Sequence, residues 1–138
     1  DFNPSFEAVG CFLEVNGQIL LLQRQKDKIE GDKWGHPGGK VENVGFAETL
    51  DEAVLREVEE ETGICLTLKE VNYMERFFVR YIKFDFNYHV YHVSLIEKPV
   101  IQLNPVEHKD FRWITPKDAL ELPLMLDEAD CIRMSYNL

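Results

Sequence analysis

Three glutamates, Glu57, Glu60 and Glu61, stand at i, i+3 and i+4, a spacing that places them on one face of a helix within a single turn. Carboxylates crowded in this way repel one another, and hard divalent cations are the ligands that best relieve that repulsion. Without such an ion, some of these groups should be pushed toward protonation. The segment Gly39 to Gly63 holds eight acids against Lys40 and Arg56 alone, so six of the ten net negative charges of the 138-residue chain fall in these 25 residues. An isolated Glu-Glu pair reads as a solvated helix surface. Here a plain surface explains less, because three local rules are broken together: like charges meet at i,i+4, they sit at the C-terminal end of the helix, and they share a face with Leu50, Ala53 and Val54.

The helix that positions them is predicted at residues 50–62. Thr49 followed three positions later by Glu52 is a capping box, and Gly63 suits a left-handed C-terminal cap. On a helical projection Glu52, Arg56 and Glu59 face away from the trio, with Arg56 within i±4 reach of Glu52 and Glu60. Such an arginine is either a surface bridge or a brace for the acids, and we read it as a brace.

Upstream, Ala8 to Leu13 and Ile19 to Leu22 read as antiparallel strands joined by the tight turn Asn16-Gly17. The run Trp34-Gly35-His36-Pro37-Gly38-Gly39 is too rich in glycine and proline for helix and forms a shaped loop. Downstream, Leu66 to Lys83 and Phe86 to Ile96 favour two long strands joined near Phe84-Asp85, and Phe111 to Thr115 a short one. Pro116 opens a helix to about Leu122, and an amphipathic helix is expected from Leu124 to Met134. This order predicts an α/β fold with helices packed on a mixed sheet, and the length predicts one domain over 1–138.

Composition narrows the function classes. With 45% hydrophobic and 29% charged residues the chain is globular rather than disordered. Twenty-five acids against 15 bases disfavour binding to DNA or RNA. Cys11, Cys65 and Cys131 are too scattered for a zinc site or disulfide framework, so a reduced, cytoplasmic setting is expected. The longest run without formal charge, Phe86 to Ile96, is too short to span a bilayer. The sequence opens at Asp1 with no basic-then-apolar leader, and a removed leader stays open.

The run Arg56-Glu57-Val58-Glu59-Glu60-Glu61-Thr62-Gly63-Ile64 resembles the end of the box that defines the Nudix (MutT-like) hydrolases, with seven residues between Glu48 and Arg56 as the box requires. Gly38-Gly39-Lys40-Val41-Glu42 is similar to its glycine-rich entry. The sequence departs in one respect: eight residues separate Gly39 from Glu48 where the pattern has five, so three extra residues fall around Asn43 to Ala47.

The resemblance implies a Nudix α/β/α sandwich, with helices on both faces of a mixed sheet. It implies Mg2+ or Mn2+ held by Glu57, Glu60, Glu61 and the Gly38 carbonyl, with Arg56 assisting. Glu107, six positions before Trp113, stands where some relatives place another glutamate, as metal ligand or base; an exposed loop acid is the equal alternative. Glu57, Glu60 and Glu107 are candidate bases. Gly38, Gly39 and His36 are candidates for substrate contact, although His36 could equally fill a turn.

His89, His92 and His108 show no metal spacing. Trp34, Phe77, Phe78, Tyr81, Phe86, Tyr88 and Tyr91 read mostly as core. The implied activity is hydrolysis of a pyrophosphate linkage in a nucleoside diphosphate derivative, with a nucleoside triphosphate as the default substrate. The alternatives are a non-nucleotide diphosphate or a nucleotide sensor without turnover. The proline of ADP-ribose hydrolases and the coenzyme A signature are absent, and Tyr81 is a weak match to the tyrosine of dinucleoside polyphosphate hydrolases. Partners are then small phosphorylated molecules, with no membrane, and a homodimer is compatible.

Overall fold

The computed structural model describes residues 1–43, 47–81 and 83–138. Strand β1 (Pro4–Val15) turns through Asn16 and Gly17, both at positive φ (51° and 78°), into β2 (Gln18–Arg24), the hairpin expected from that dipeptide. Two short strands, β3 (Trp34–Gly35) and β4 (Gly38–Lys40), flank His36-Pro37, and α1 follows at Leu50–Thr62. Then come β5 (Asn72–Arg80), β6 (Asp85–Ser94), β7 (His108–Ile114), α2 (Pro116–Ala119) and α3 (Glu128–Tyr136).

The sheet runs β3-β2-β1-β6-β5, with β4 also paired to β1 and β7 to β2. Strand β1 is its spine. It lies parallel to β6 along nearly its whole length, while its other edge is divided between β2 at Glu14–Val15 and β4 at Ala8–Gly10. That division brings Gly38 and Gly39 beside the middle of the sheet.

Alternation along the central strands makes two cores. Val9, Cys11, Leu13, Leu20 and Leu22 point to one face and pack with Ala53, Val54 and Val58 of α1. Phe12, Ile19 and Leu21 point to the other and pack with Ala119 of α2 and Cys131 and Ile132 of α3. The result is the expected α/β sandwich with helices on both faces. No helix among the described residues is long and apolar enough to cross a membrane.

Several expected boundaries move, each for a local reason. Residues 66–71 are not strand: Thr67 and Glu70 close a turn, with Glu70 N–H donating to the Thr67 carbonyl (3.1 Å) and Glu70 Oε1 accepting from Thr67 N–H (2.9 Å). Helix α2 ends early, where Leu122 N–H bonds back three residues to the Ala119 carbonyl. The last helix begins at Glu128 rather than Leu124, because residues 123–125 pair with β3. Trp34 N–H donates to the Pro123 carbonyl, and Met125 N–H to the Trp34 carbonyl, each at 2.9 Å. Strand β7 starts at His108, three residues before the expected Phe111. The expected junction of β5 and β6 near Phe84-Asp85 is present, although Ile82 lies outside the described residues.

Candidate active site

Helix α1 is capped as the sequence predicts. Thr49 Oγ1 accepts from Glu52 N–H, Glu52 Oε1 accepts from Thr49 N–H, and Gly63 at φ 77° closes the far end. No basic residue stands in the last turn to offset the negative pole of the helix beside these glutamates. The expected inward lean holds for two of the trio: the Glu57 and Glu61 side chains are 12% and 13% exposed, against 54% for Glu60.

Arg56 binds the acids together, but not in the arrangement that the helical projection predicts. It folds back toward the trio rather than away from it. Nε and Nη2 grip both oxygens of Glu48 (2.7 and 3.0 Å), Nη1 reaches Glu57 Oε1 (2.8 Å) and Glu60 (3.2 Å), and Nη2 also donates to the Lys40 carbonyl (2.9 Å). Of the two expected partners Glu60 is engaged, while Glu52 is spent on the cap. Glu48 therefore keeps its place at Arg56 despite the three extra residues upstream, of which 44–46 lie outside the described residues. The arginine's hydrogen bonds hold the Glu48 carboxyl below the usual glutamate range.

The glycines set the opposite wall. Gly38 N–H donates to Glu61 Oε1 at 2.8 Å. Gly39 leaves the space that the Glu57 carboxylate occupies. Burial raises the proton affinity of Glu57 against the opposing pull of Arg56, and it pushes Glu61 up to about 8. His108 faces Glu61 at 3.9 Å, yet its own burial and the charge of Arg24 lower it to about 4, so it is neutral and supplies no counter-charge. Among the described residues no lysine or arginine pairs with Glu61.

A buried carboxylate without a counter-ion, as Glu61 is among the described residues, suits a hard cation. Among the described residues no three Asp, Glu, His or Cys side chains converge at ligating distance. The contact seen at Gly38 is through its N–H. Glu107 stands outside the cavity, its side chain 39% exposed and 3.9 Å from Lys28 Nζ, although its charge is felt at both Glu61 and His108.

Beside this cluster opens a cavity of about 340 Å³, whose lining includes Gly38, Gly39, Glu61 and His108. Its walls are aromatic: Phe6, Tyr81, Phe84, Phe86 and Tyr88. The expectation of core packing thus fits Trp34, Phe77 and Tyr91; Tyr88 packs against the core and also lines the cavity with Tyr81 and Phe86, and Phe78 is exposed instead. Its floor is a hydrogen-bonded chain absent from the sequence reading. His36 Nδ1 meets Glu128 Oε2 at 2.6 Å, and His36 Nε2 meets the Tyr88 hydroxyl at 2.8 Å. A Cβ at position 10 would stand 2.5 Å from His36 Nε2, so Gly10 is the local signal of this contact.

The α/β sandwich thus presents Glu61, at the end of α1, to a glycine-lined, aromatic cavity. The NUDIX domain family model matches residues 4–134, and the chain belongs to the Nudix family. It is a hydrolase of pyrophosphate linkages. It is 32% identical over 120 residues to the CTP pyrophosphohydrolase of Escherichia coli, a match covering 86% of this chain and 82% of that protein. A shorter match, 40% identical over 57 residues, joins 41% of this chain to 42% of the E. coli 8-oxo-dGTP diphosphatase. The crystal structure of a MutT NUDIX hydrolase from Burkholderia pseudomallei superposes with a TM-score of 0.80 at 27% identity, covering 95% of this chain and 97% of that one.

Proposed function

We propose that residues 1–138 form one catalytic domain that hydrolyses a nucleoside triphosphate to a monophosphate and pyrophosphate, in a reduced, cytoplasmic setting and on free nucleotide rather than nucleic acid. The observation that carries this reading is the buried Glu61 carboxylate, which no lysine or arginine pairs among the described residues and which lines the aromatic cavity, with the buried Glu57 held by Arg56 on the same helix face. The two E. coli relatives are named for CTP and 8-oxo-dGTP, and the nucleoside triphosphate is the class those names share.

In this reading Glu57, Glu60, Glu61 and the Gly38 carbonyl hold Mg2+ or Mn2+, the donor types such ions prefer. Bound there, such an ion would neutralise pyrophosphate charge and lower the pKa of a water. Arg56 orients Glu57 and Glu60 by holding Oε1 of the first and both oxygens of the second, and Glu48 fixes the guanidinium in turn. Because Nη1 occupies Glu57 Oε1, Oε2 is the atom left to meet the ion. Phe84, Phe86 and Tyr88 offer a base-sized apolar wall that excludes solvent.

The test is a pyrophosphate-release assay with product masses over nucleoside triphosphates (CTP and 8-oxo-dGTP included), dinucleotides and nucleotide sugars, with Mg2+, Mn2+ or chelator. Monophosphate plus pyrophosphate formed only with metal supports the reading. Tight binding without turnover across the panel, or release of orthophosphate, contradicts it.

A further inference from the structure

His108 pairs with Arg24 of β2 at the start of β7, and its imidazole, 7% exposed, forms part of the cavity wall. Its Nδ1 is buried and has no hydrogen-bonding partner among the described residues. An orphaned ring nitrogen in the interior carries a desolvation cost that packing does not return, so its position calls for a reason. The facing group is Glu61, whose Oε2 lies 3.9 Å away while its Oε1 accepts from Gly38 N–H at 2.8 Å. That gap is too long for a direct hydrogen bond and is closed by one bridging water or by a shift of about 1 Å.

We propose that His108 is a positioning residue for Glu61: its Nδ1–H, directly or through one water, fixes Oε2 while Gly38 N–H fixes Oε1, so the carboxylate meets a divalent cation in a set orientation. This rests on the reading that Glu61 binds the cation. A neutral donor suits the task. A lysine or arginine in the same place would pair with Glu61 and repel the incoming cation, whereas an uncharged N–H orients the oxygen without competing for it.

Asparagine and glutamine separate this role from simple packing, because the asparagine amide N–H reaches about as far as Nδ1 and the glutamine amide about as far as Nε2. Mn2+ binding, followed by calorimetry and by the spin-resonance signal of the free ion, is measured on His108→Asn, His108→Gln, His108→Leu and Glu61→Gln, with steady-state kinetics alongside. His108→Leu and His108→Gln should weaken Mn2+ binding about tenfold and His108→Asn by no more than about threefold, with kcat recovered in each at saturating Mn2+. Wild-type affinity in His108→Leu, or equal affinities in the Asn and Gln variants, would overturn the proposal. Thermal melts show whether each variant folds, and if His108→Leu does not, the Asn–Gln comparison decides. Wild-type Mn2+ affinity in Glu61→Gln would remove the metal-site reading itself. Loss in Glu61→Gln with His108→Leu unchanged would remove the role of His108 alone.

Discussion

The Glu57 carboxylate fills the space where a side chain at position 39 would stand: a Cβ on Gly39 would lie 2.5 Å from Glu57 Cδ and from both its oxygens. Gly39→Ala must therefore displace the carboxylate that Arg56 and the sheet together hold. A displacement of this size at a reacting centre costs about a hundredfold. We expect kcat/KM to fall by about that factor while the circular dichroism spectrum is unchanged. Wild-type turnover in Gly39→Ala would show that the position of Glu57 is immaterial.

Glu60 and Arg56 should divide activity from stability. The Glu60 carboxylate is half exposed, so Glu60→Gln should cost less than about 1 kcal/mol of folding free energy. If it holds the metal, activity should nonetheless fall by more than about tenfold. Arg56→Lys removes a planar fork from the nearly buried Glu48, and should cost about 1–3 kcal/mol in urea unfolding. An unchanged unfolding midpoint in Arg56→Lys would deny the arginine its bracing role.

The pH dependence of the metal-free protein follows from Glu61. Its carboxyl is raised from 4.5 to about 8, so the fold favours its protonated form. That contribution is complete below the unfolded value near 4.5 and is lost as pH rises toward 8. Below pH 6.5 His108, lowered to about 4, works in the opposite sense, because the unfolded imidazole takes up a proton that the folded one refuses. The clean window is pH 6.5–8, where one proton bound only in the native state gives a loss of about 1.4 kcal/mol per pH unit. Melting temperatures in chelator should fall across that window, and Mn2+ should flatten the slope. A flat or rising profile in chelator would contradict the assignment of Glu61.

At the cavity floor, Tyr88→Phe would leave the buried His36 Nε2 without its hydroxyl partner, at a cost of about 1–3 kcal/mol. Because Tyr88 and His36 both line the cavity, KM for the nucleotide should rise more than kcat falls. Unchanged stability together with unchanged KM would mean that the Glu128–His36–Tyr88 chain is incidental.

Features written in local sequence were legible. The capping box of Thr49 and Glu52, the Gly63 cap, the Asn16-Gly17 turn and the crowding of acids at the end of α1 all depend on residues a few positions apart. The same local reading could have gone further. The capping box already commits Glu52 to Thr49, which removes it as a partner for Arg56 and turns the guanidinium to Glu48. The cavity was not legible, because His36, Tyr88 and Glu128 lie 52 and 92 positions apart and meet only once β6 and α3 have packed. Nor was the late start of α3, since periodicity does not show that residues 123–125 spend their backbone groups on Trp34. His108 gave no signal because its relation to Glu61 exists only once β7, paired to β2, lies beside the end of α1.

The most direct measurement is Glu61→Gln, assayed for metal-dependent pyrophosphate release and for metal-free stability in parallel. A buried carboxylate kept for a cation is a burden to the empty fold and a necessity to the loaded one. Activity should therefore drop by more than about a hundredfold, beyond what the loss of a supporting partner costs, while the metal-free melting temperature at pH 8 rises. Retained activity, or a fall in metal-free stability comparable to that of an ordinary core substitution, would contradict a divalent-cation role for Glu61.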